Sequence, residues 1–269
     1  MSHHDLRASA VTVGFDQREV LHEIDFAVPD GKITVIVGPN ASGKSTLLRT
    51  LARLLRARSG EVTLDGVPLH QYRGKQLAAV VGLLPQQPTA PDGITVEELV
   101  VRGRYPRQGL FGQRTAADTL AVQSALAATD TVDLAERRVD ELSGGQRQRV
   151  WVAMALAQQT DILLLDEPTT FLDVTHQIEV LDLLVELNRR ASTTIVMVLH
   201  DLNLAARYAD HMIVMSDGRI VAEGDPHAVV TREVVREAFA LEALIVPDPV
   251  AGSPMVVPIG RFHSRDSLD

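Results

Sequence analysis

The chain has 269 residues, 45% of them hydrophobic and 23% charged, which suits one large domain or two small ones and argues against wholesale disorder. No apolar run approaches the ~18 residues of a membrane span, the longest being Val150–Ala157 and Ile195–Leu199, so the chain is not expected to form a pore by itself. Cysteine is absent, which excludes disulfides and thiolate metal sites and fits a reducing compartment, and a net charge of -9 argues against nucleic-acid binding through bulk electrostatics.

Met1–Leu6 lacks a basic-then-apolar layout, so no secretory signal is expected. Leu6–Val13 alternates as a strand does, and Val20–Val28 reads as a second strand before the turn Pro29-Asp30-Gly31. Lys32–Val37 is a short β-branched run, the pattern of a buried strand. Ser45–Leu55 suits a helix that Ser59-Gly60 breaks. Glu61–Leu64 and Val67–Leu69 flank Asp65-Gly66, a favoured hairpin turn. Ala78–Leu84 reads as a buried strand stopped by Pro85.

From Gln86 to about Gln159 helix formers dominate, in Thr95–Arg102, Thr115–Ala128 and Gly144–Gln159, and this stretch reads as a helical insertion. Strand character returns at Asp161–Leu165 and Thr193–Leu199, with a helix over Thr175–Arg190 between them. Asp217-Gly218 joins Met212–Met215 to Arg219–Ala222 as a second hairpin. Beyond Val246 the prolines at 247, 249, 254 and 258 predict irregular structure. Strands alternating with helices give a parallel, doubly wound α/β sheet, whose ligands sit at the carboxyl ends of the strands.

The residues after each buried strand therefore carry the chemistry. Gly38-Pro39-Asn40-Ala41-Ser42-Gly43-Lys44-Ser45 is a phosphate-binding P-loop in its required strand–loop–helix setting. Its glycines let backbone N–H groups wrap phosphate oxygens, Lys44 offers a cation to β- and γ-phosphates, and the Ser45 hydroxyl can ligate Mg²⁺. Asp166-Glu167 ends another strand, where Asp166 can hold the Mg²⁺ shell and Glu167 can take a proton from attacking water, or the pair can simply cap the next turn. His200 ends a third strand within reach of a γ-phosphate, whereas the other histidines read as structural. Gln86 is either a Mg²⁺ or water ligand or, read alone, a polar turn residue. Ser143 suits a helix N-cap, and Gly144-Gly145 leave bare N–H groups there for an anion.

Taken together these residues resemble the ATP-binding subunit of an ATP-binding-cassette (ABC) transporter. Leu142-Ser143-Gly144-Gly145-Gln146 matches that family's signature, and the order of P-loop, glutamine loop, signature, acidic motif and switch histidine fits from about Leu6 to the tail. The resemblance implies a P-loop NTPase (RecA-like) core at 1–86 and 161–246 with an antiparallel β subdomain, an inserted helical subdomain at 87–160 and a tail at 247–269. It implies that Phe15 stacks on adenine, where most relatives carry tyrosine, and that Lys44 and the amides of Asn40 to Thr46 hold the phosphates. Ser45, Gln86 and Asp166 would organise Mg²⁺, Glu167 would polarise water and His200 would contact the γ-phosphate. Ser143, Gly144 and Gly145 would reach the ATP of a second copy in a head-to-tail dimer, with Asp173 on the dimer contact.

Segments such as Leu83–Pro88, Val101–Pro106, Leu156–Asp161, Pro168–Asp173 and His200–Tyr208 are similar to the branch of importers that carries ferric siderophores, with haem and cobalamin importers as close relatives. The implied partners are a second copy, a membrane permease and, indirectly, a substrate-binding protein, with no nucleic acid, and the implied place is the cytoplasmic face of the membrane. Arg102, Arg104, Arg107 and Arg114 are either a permease-facing patch or a solvated basic face. A soluble ABC protein acting on nucleic acid or ribosomes is the competing reading. One cassette, no heptad run and an acidic balance count against it.

Overall fold

The computed structural model describes residues 3–108 and 114–260. The last segment, 261–269, lies outside the described residues. Strands β1 (Leu6–Phe15) and β2 (Arg18–Ala27) form an antiparallel pair closed by Asp16-Gln17. Strand β3 (Ile33–Val37) is buried at every position, and helix α1 (Lys44–Leu51) follows it across the glycine loop. Strands β4 (Ser59–Leu64) and β5 (Val67–Pro68) complete a four-stranded sheet of order β2-β1-β4-β5. The helix after the P-loop stops at Leu51 rather than Leu55 because Arg53 turns to φ 59°. The Arg53 guanidinium then donates to the carbonyls of Leu69 and Tyr72 at 2.8 and 2.7 Å.

Helix α2 (Gly74–Val80) replaces the first half of the expected strand over Ala78–Leu84, so only β6 (Val81–Leu84) is extended. Alanines at 78 and 79 favour helix, and the apolar β-branched run that disguised them as strand starts only at Val80. The insertion is helical as expected, with α3 (Val96–Arg102), α4 (Ala116–Ala128) and α5 (Gly144–Ala157). Each opens on a side-chain cap the sequence supplies, Thr95, Thr115 and Ser143. Strand β7 (Ile162–Asp166), helix α6 (Val174–Ala191) and strand β8 (Thr194–Val198) return the chain to the core.

Helix α7 (Leu202–Tyr208), the hairpin of β9 (His211–Ser216) and β10 (Arg219–Gly224), and helices α8 (Pro226–Val229) and α9 (Arg232–Phe239) follow. The expectation of an irregular tail after Val246 is overturned, because β11 (Ala243–Pro247) and β12 (Pro254–Pro258) pair as a hairpin. A two-stranded ribbon consists only of edges, and Pro247, Pro254 and Pro258 sit at its ends, where a missing N–H is tolerated.

The central sheet has the order β10-β9-β3-β8-β7-β6, in which β9, β3, β8, β7 and β6 run parallel to one another and β10 is antiparallel to β9. Alternation divides its residues between two cores. Ile33, Val35 and Val37 with Ile195 and Met197 face the helical insertion, whereas Ile36 with Val196 and Val198 faces α1 and the antiparallel sheet. The parallel arrangement brings the carboxyl ends of β3, β6, β7 and β8 to one edge, and with them the P-loop, Gln86, Asp166-Glu167 and His200.

Candidate nucleotide site

The P-loop is held by close backbone packing. Gly38 has φ 154°, and a Cβ there would lie 2.1 Å from the Met215 carbonyl oxygen. Gly43 has φ 102°, and a Cβ there would lie 2.7 Å from the Leu21 side chain and 3.2 Å from the Val20 carbonyl oxygen. The loop is locked from outside by the second Asp-Gly turn, whose Gly218 N–H donates to the Ser42 carbonyl at 3.1 Å. Helix α1 starts at Gly43 with no side-chain cap, so its first amides are presented to a ligand rather than to a cap.

Lys44 is buried and curls back over its own loop, its Nζ donating to the carbonyls of Gly38 and Pro39 at 2.9 and 2.8 Å. Burial pulls the ammonium pKa down, against the opposing pull of Glu167 and Asp166. Asp166 is buried at the end of β7. Its Oδ1 accepts from the Ser45 hydroxyl at 2.7 Å, Arg49 stands 3.6 Å from Oδ2, and Oδ2 has no hydrogen-bond partner. Burial raises the Asp166 pKa, and the Ser45 hydrogen bond and the Arg49 charge offset this only in part.

Glu167 sits next in the chain at φ 56°. One carboxylate oxygen lies 2.6 Å from Nε2 of His200, and the other accepts from Thr170 Oγ1 at 3.0 Å. Around these groups lies an open cleft of about 630 Å³, lined by Phe15, residues 40–46, Gln86, Glu167, His200, Asp217 and Gly218 among others. Phe15 is half exposed at one side of it. Gly38 and Pro39 lie behind the loop and contribute the carbonyls that hold Lys44.

Ser143, Gly144, Gly145 and Gln146 do not line this cleft. Ser143 Oγ accepts from the Gln146 N–H at 3.3 Å and the Gln146 side chain accepts from the Ser143 N–H at 3.1 Å, a reciprocal cap. Ser143 and Gly144 are exposed, and Gly144 lies beside Phe171, itself 74% exposed. Asp173 caps α6 through the His176 N–H at 3.0 Å. One bond joins the two regions directly, from Gln148 Nε2 on α5 to the Pro168 carbonyl at 2.8 Å.

Sequence reasoning missed Arg49, Thr170 and the Asp217-Gly218 turn as parts of the site. The turn was legible as a hairpin, but its closure onto the P-loop is a tertiary fact. The basic cluster divides. Arg104 is 4% exposed, bonds Asp118 Oδ1 at 2.8 Å and donates to the Ala157 carbonyl, so it cannot face a partner. Arg107 caps the end of α5 at the Gln158 carbonyl, Arg114 pairs with Glu97, and Arg102 is exposed.

Residues 21–170 match the family described as ABC transporter. The chain is 52% identical to the ferric enterobactin transport ATP-binding protein FepC of Escherichia coli (strain K12), over 95% of this chain and 94% of that protein. It is 44% identical to the iron(3+)-hydroxamate import ATP-binding protein FhuC of Bacillus subtilis (strain 168), over 98% of each. Among solved structures it resembles a dimeric post-hydrolysis state of the ATP-binding cassette MJ0796 bound to ADP and Pi, with a TM-score of 0.73, 27% identity, and coverage of 82% of this chain and 98% of that one.

Proposed function

The chain belongs to the ABC transporter family, and from that premise we propose that it is the ATP-hydrolysing subunit of a ferric-siderophore importer, acting with a membrane permease. It is an ATP-binding cassette, and its ATPase activity drives uptake. The substrate class rests on relatives that serve ferric enterobactin and iron(3+)-hydroxamate. No helix among the described residues is long and apolar enough to cross a membrane, which supports a peripheral subunit on the cytoplasmic face that borrows its pore from the permease. A substrate-binding protein would deliver the cargo to that permease.

In this reading the amides of residues 40–46 take the phosphates of ATP, and Phe15 takes the adenine face. Lys44 exchanges the carbonyls of Gly38 and Pro39 for phosphate oxygens, so its buried charge gains a true counter-ion. The orphaned, buried Asp166 Oδ2 beside the Ser45 hydroxyl fits a hard divalent cation. Ser45, Asp166 and Gln86 would hold Mg²⁺, which when bound neutralises charge on the β- and γ-phosphates. Glu167 accepts a proton from the attacking water, and His200 turns from Glu167 to the γ-phosphate. Ser143, Gly144, Gly145 and Gln146 complete the site of a second, head-to-tail copy, a role supported by the exposure of Ser143 and Gly144 and by the dimeric relative.

The observation that carries this reading is the 2.6 Å contact of Glu167 with His200 at the mouth of the P-loop cleft. The test is uptake of labelled ferric siderophore, with labelled haem as a parallel arm, in cells lacking the chain and complemented with wild type or Glu167→Gln. Wild type restores siderophore uptake. Glu167→Gln does not, and in purified form it keeps ATP binding while turnover falls ~10²–10⁴-fold, the usual share of a general base. Rapid hydrolysis by Glu167→Gln would remove Glu167 from catalysis, and restoration of haem uptake alone would replace the cargo.

A further inference from the structure

We propose that the C-terminal hairpin is a brace for the switch histidine, with Asn203 and Arg207 as positioning residues that act on His200 through helix α7. The inference rests on the reading of His200 given above.

His200 stands immediately before α7. Asp201 Oδ1 accepts from the N–H groups of Asn203 and Leu204, both at 2.8 Å, so the residue after the histidine is locked to the first turn. Wherever α7 goes, the backbone of His200 follows. The ring itself is loosely held. Its side chain is 48% exposed, and Glu167 is its partner.

The hairpin grips α7 at two points one helical turn apart. Asn203 Nδ2 donates to the Val256 carbonyl at 3.2 Å, and its Oδ1 accepts from the Val256 N–H at 2.7 Å. The amide thus pairs with the edge of β12 as a neighbouring strand would. Four residues on, Arg207 donates through Nε and Nη2 to Oδ2 of Asp248, the former at 3.2 Å. Asp248 is 4% exposed, and its other oxygen accepts from the N–H groups of Val250 and Ala251 in the hairpin loop at 2.8 and 3.2 Å. The Arg207 bond and those two amides hold the carboxyl well below its ordinary range, at about 2, so the pair stays charged at any working pH.

Asn203 and Arg207 share one face of the helix, and Ala205 and Ala206 are buried. At the far end Tyr208 donates to Asp182 of α6 at 2.8 Å. With α7 clamped, ATP can recruit His200 by side-chain rotation alone. Released from the clamp, backbone and ring move together, and a displacement near 1 Å in a reacting constellation costs up to ~10²-fold in rate.

The test compares the full chain carrying Asn203→Ala and Arg207→Ala with wild type, each alone and combined with His200→Ala. The double variant is expected to lose about tenfold in kcat, with the KM for ATP within about twofold and ADP affinity unchanged, because ADP lacks the γ-phosphate that His200 would touch. Arg207→Lys, which keeps the charge on Asp248, recovers most of the rate. In single-turnover assays on a His200→Ala background the same pair of substitutions changes nothing further. Asn203→Ala alone, which leaves the ion pair in place, gives the same pattern at smaller amplitude if the double variant folds poorly. A rate loss that persists undiminished in the His200→Ala background, or a parallel loss of ADP affinity, overturns the brace. Wild-type turnover by His200→Ala alone overturns the role of His200 itself, and the brace with it.

Discussion

Helices α1 and α5 both open on glycines, and they do so to different ends. Helix α1 begins without a side-chain cap, on a backbone at φ 102°, inside a cleft that is also lined by the buried Lys44 and Glu167. Helix α5 begins with a complete reciprocal cap, on the surface, beside the exposed Phe171 and away from the lining of that cleft. The first is a finished half-site that has given up local stability for preorganisation. The second has its side-chain cap satisfied within its own first turn. Ser143 accepts a hydrogen bond from Gln146, yet its hydroxyl proton and the amides of Gly144 and Gly145 remain for an anion brought by another molecule. On the proposed reading, one chain supplies both halves of an ATP site but cannot join them.

The largest expected effect breaks the α1 half. Lys44→Ala removes the cation that two carbonyls and two carboxylates already surround, so ADP and ATP affinity should fall about 10–100-fold in calorimetric titration, as for the loss of a charge-assisted hydrogen bond. Unchanged affinity would mean the phosphates bind elsewhere. The α5 half should respond in the opposite way. Gly144→Asp has room, since an added Cβ would lie 3.8 Å from Phe171 Cβ. A carboxylate at a helix start also favours the helix. The variant should fold at least as well as wild type and bind ADP within about twofold, while turnover falls by more than tenfold through repulsion of the second copy's phosphates. Mixing it with Lys44→Ala chains should restore part of the activity, because mixed dimers contain one intact pair of halves. Absence of recovery on mixing, with each variant confirmed dimeric, would sink the head-to-tail arrangement.

These two halves were legible in the sequence to different depths. The P-loop, the strand-end carboxylates and His200 follow from where buried strands stop, because a parallel sheet gathers those ends at one edge. The start of α5 was equally plain from Ser143, although the reciprocal bond from Gln146 was not. What escaped were facts made by packing between distant segments. Arg104 reads as part of a basic patch until Asp118 and the end of α5 close over it. Ala78–Val80 read as strand because a short apolar run carries no period. The prolines after Val246 disguised a hairpin, whose partner Asn203 lies some fifty residues upstream.

The smallest effect concerns stability, and it too should differ in sign between the halves. Ser143→Ala removes a cap and should cost about 1 kcal/mol. Asp166→Asn should do the reverse in the nucleotide-free chain. Burial raises the pKa of Asp166, so the folded state holds its proton more tightly than the unfolded state does. Stability from this group therefore declines as pH rises from the ordinary carboxylate value through the raised one, and the full cost persists above it. Asparagine keeps an acceptor for the Ser45 hydroxyl and carries no charge to desolvate. The variant should gain on the order of 1 kcal/mol, a few degrees in Tm, and its advantage in urea unfolding should grow across that acidic window and then level off. Saturating ATP with Mg²⁺ should erase the advantage, since the charge then has a ligand. If Asp166→Asn instead destabilises the free chain, Arg49 and Lys44 already compensate the carboxylate, and the α1 half is not held at a cost to the fold.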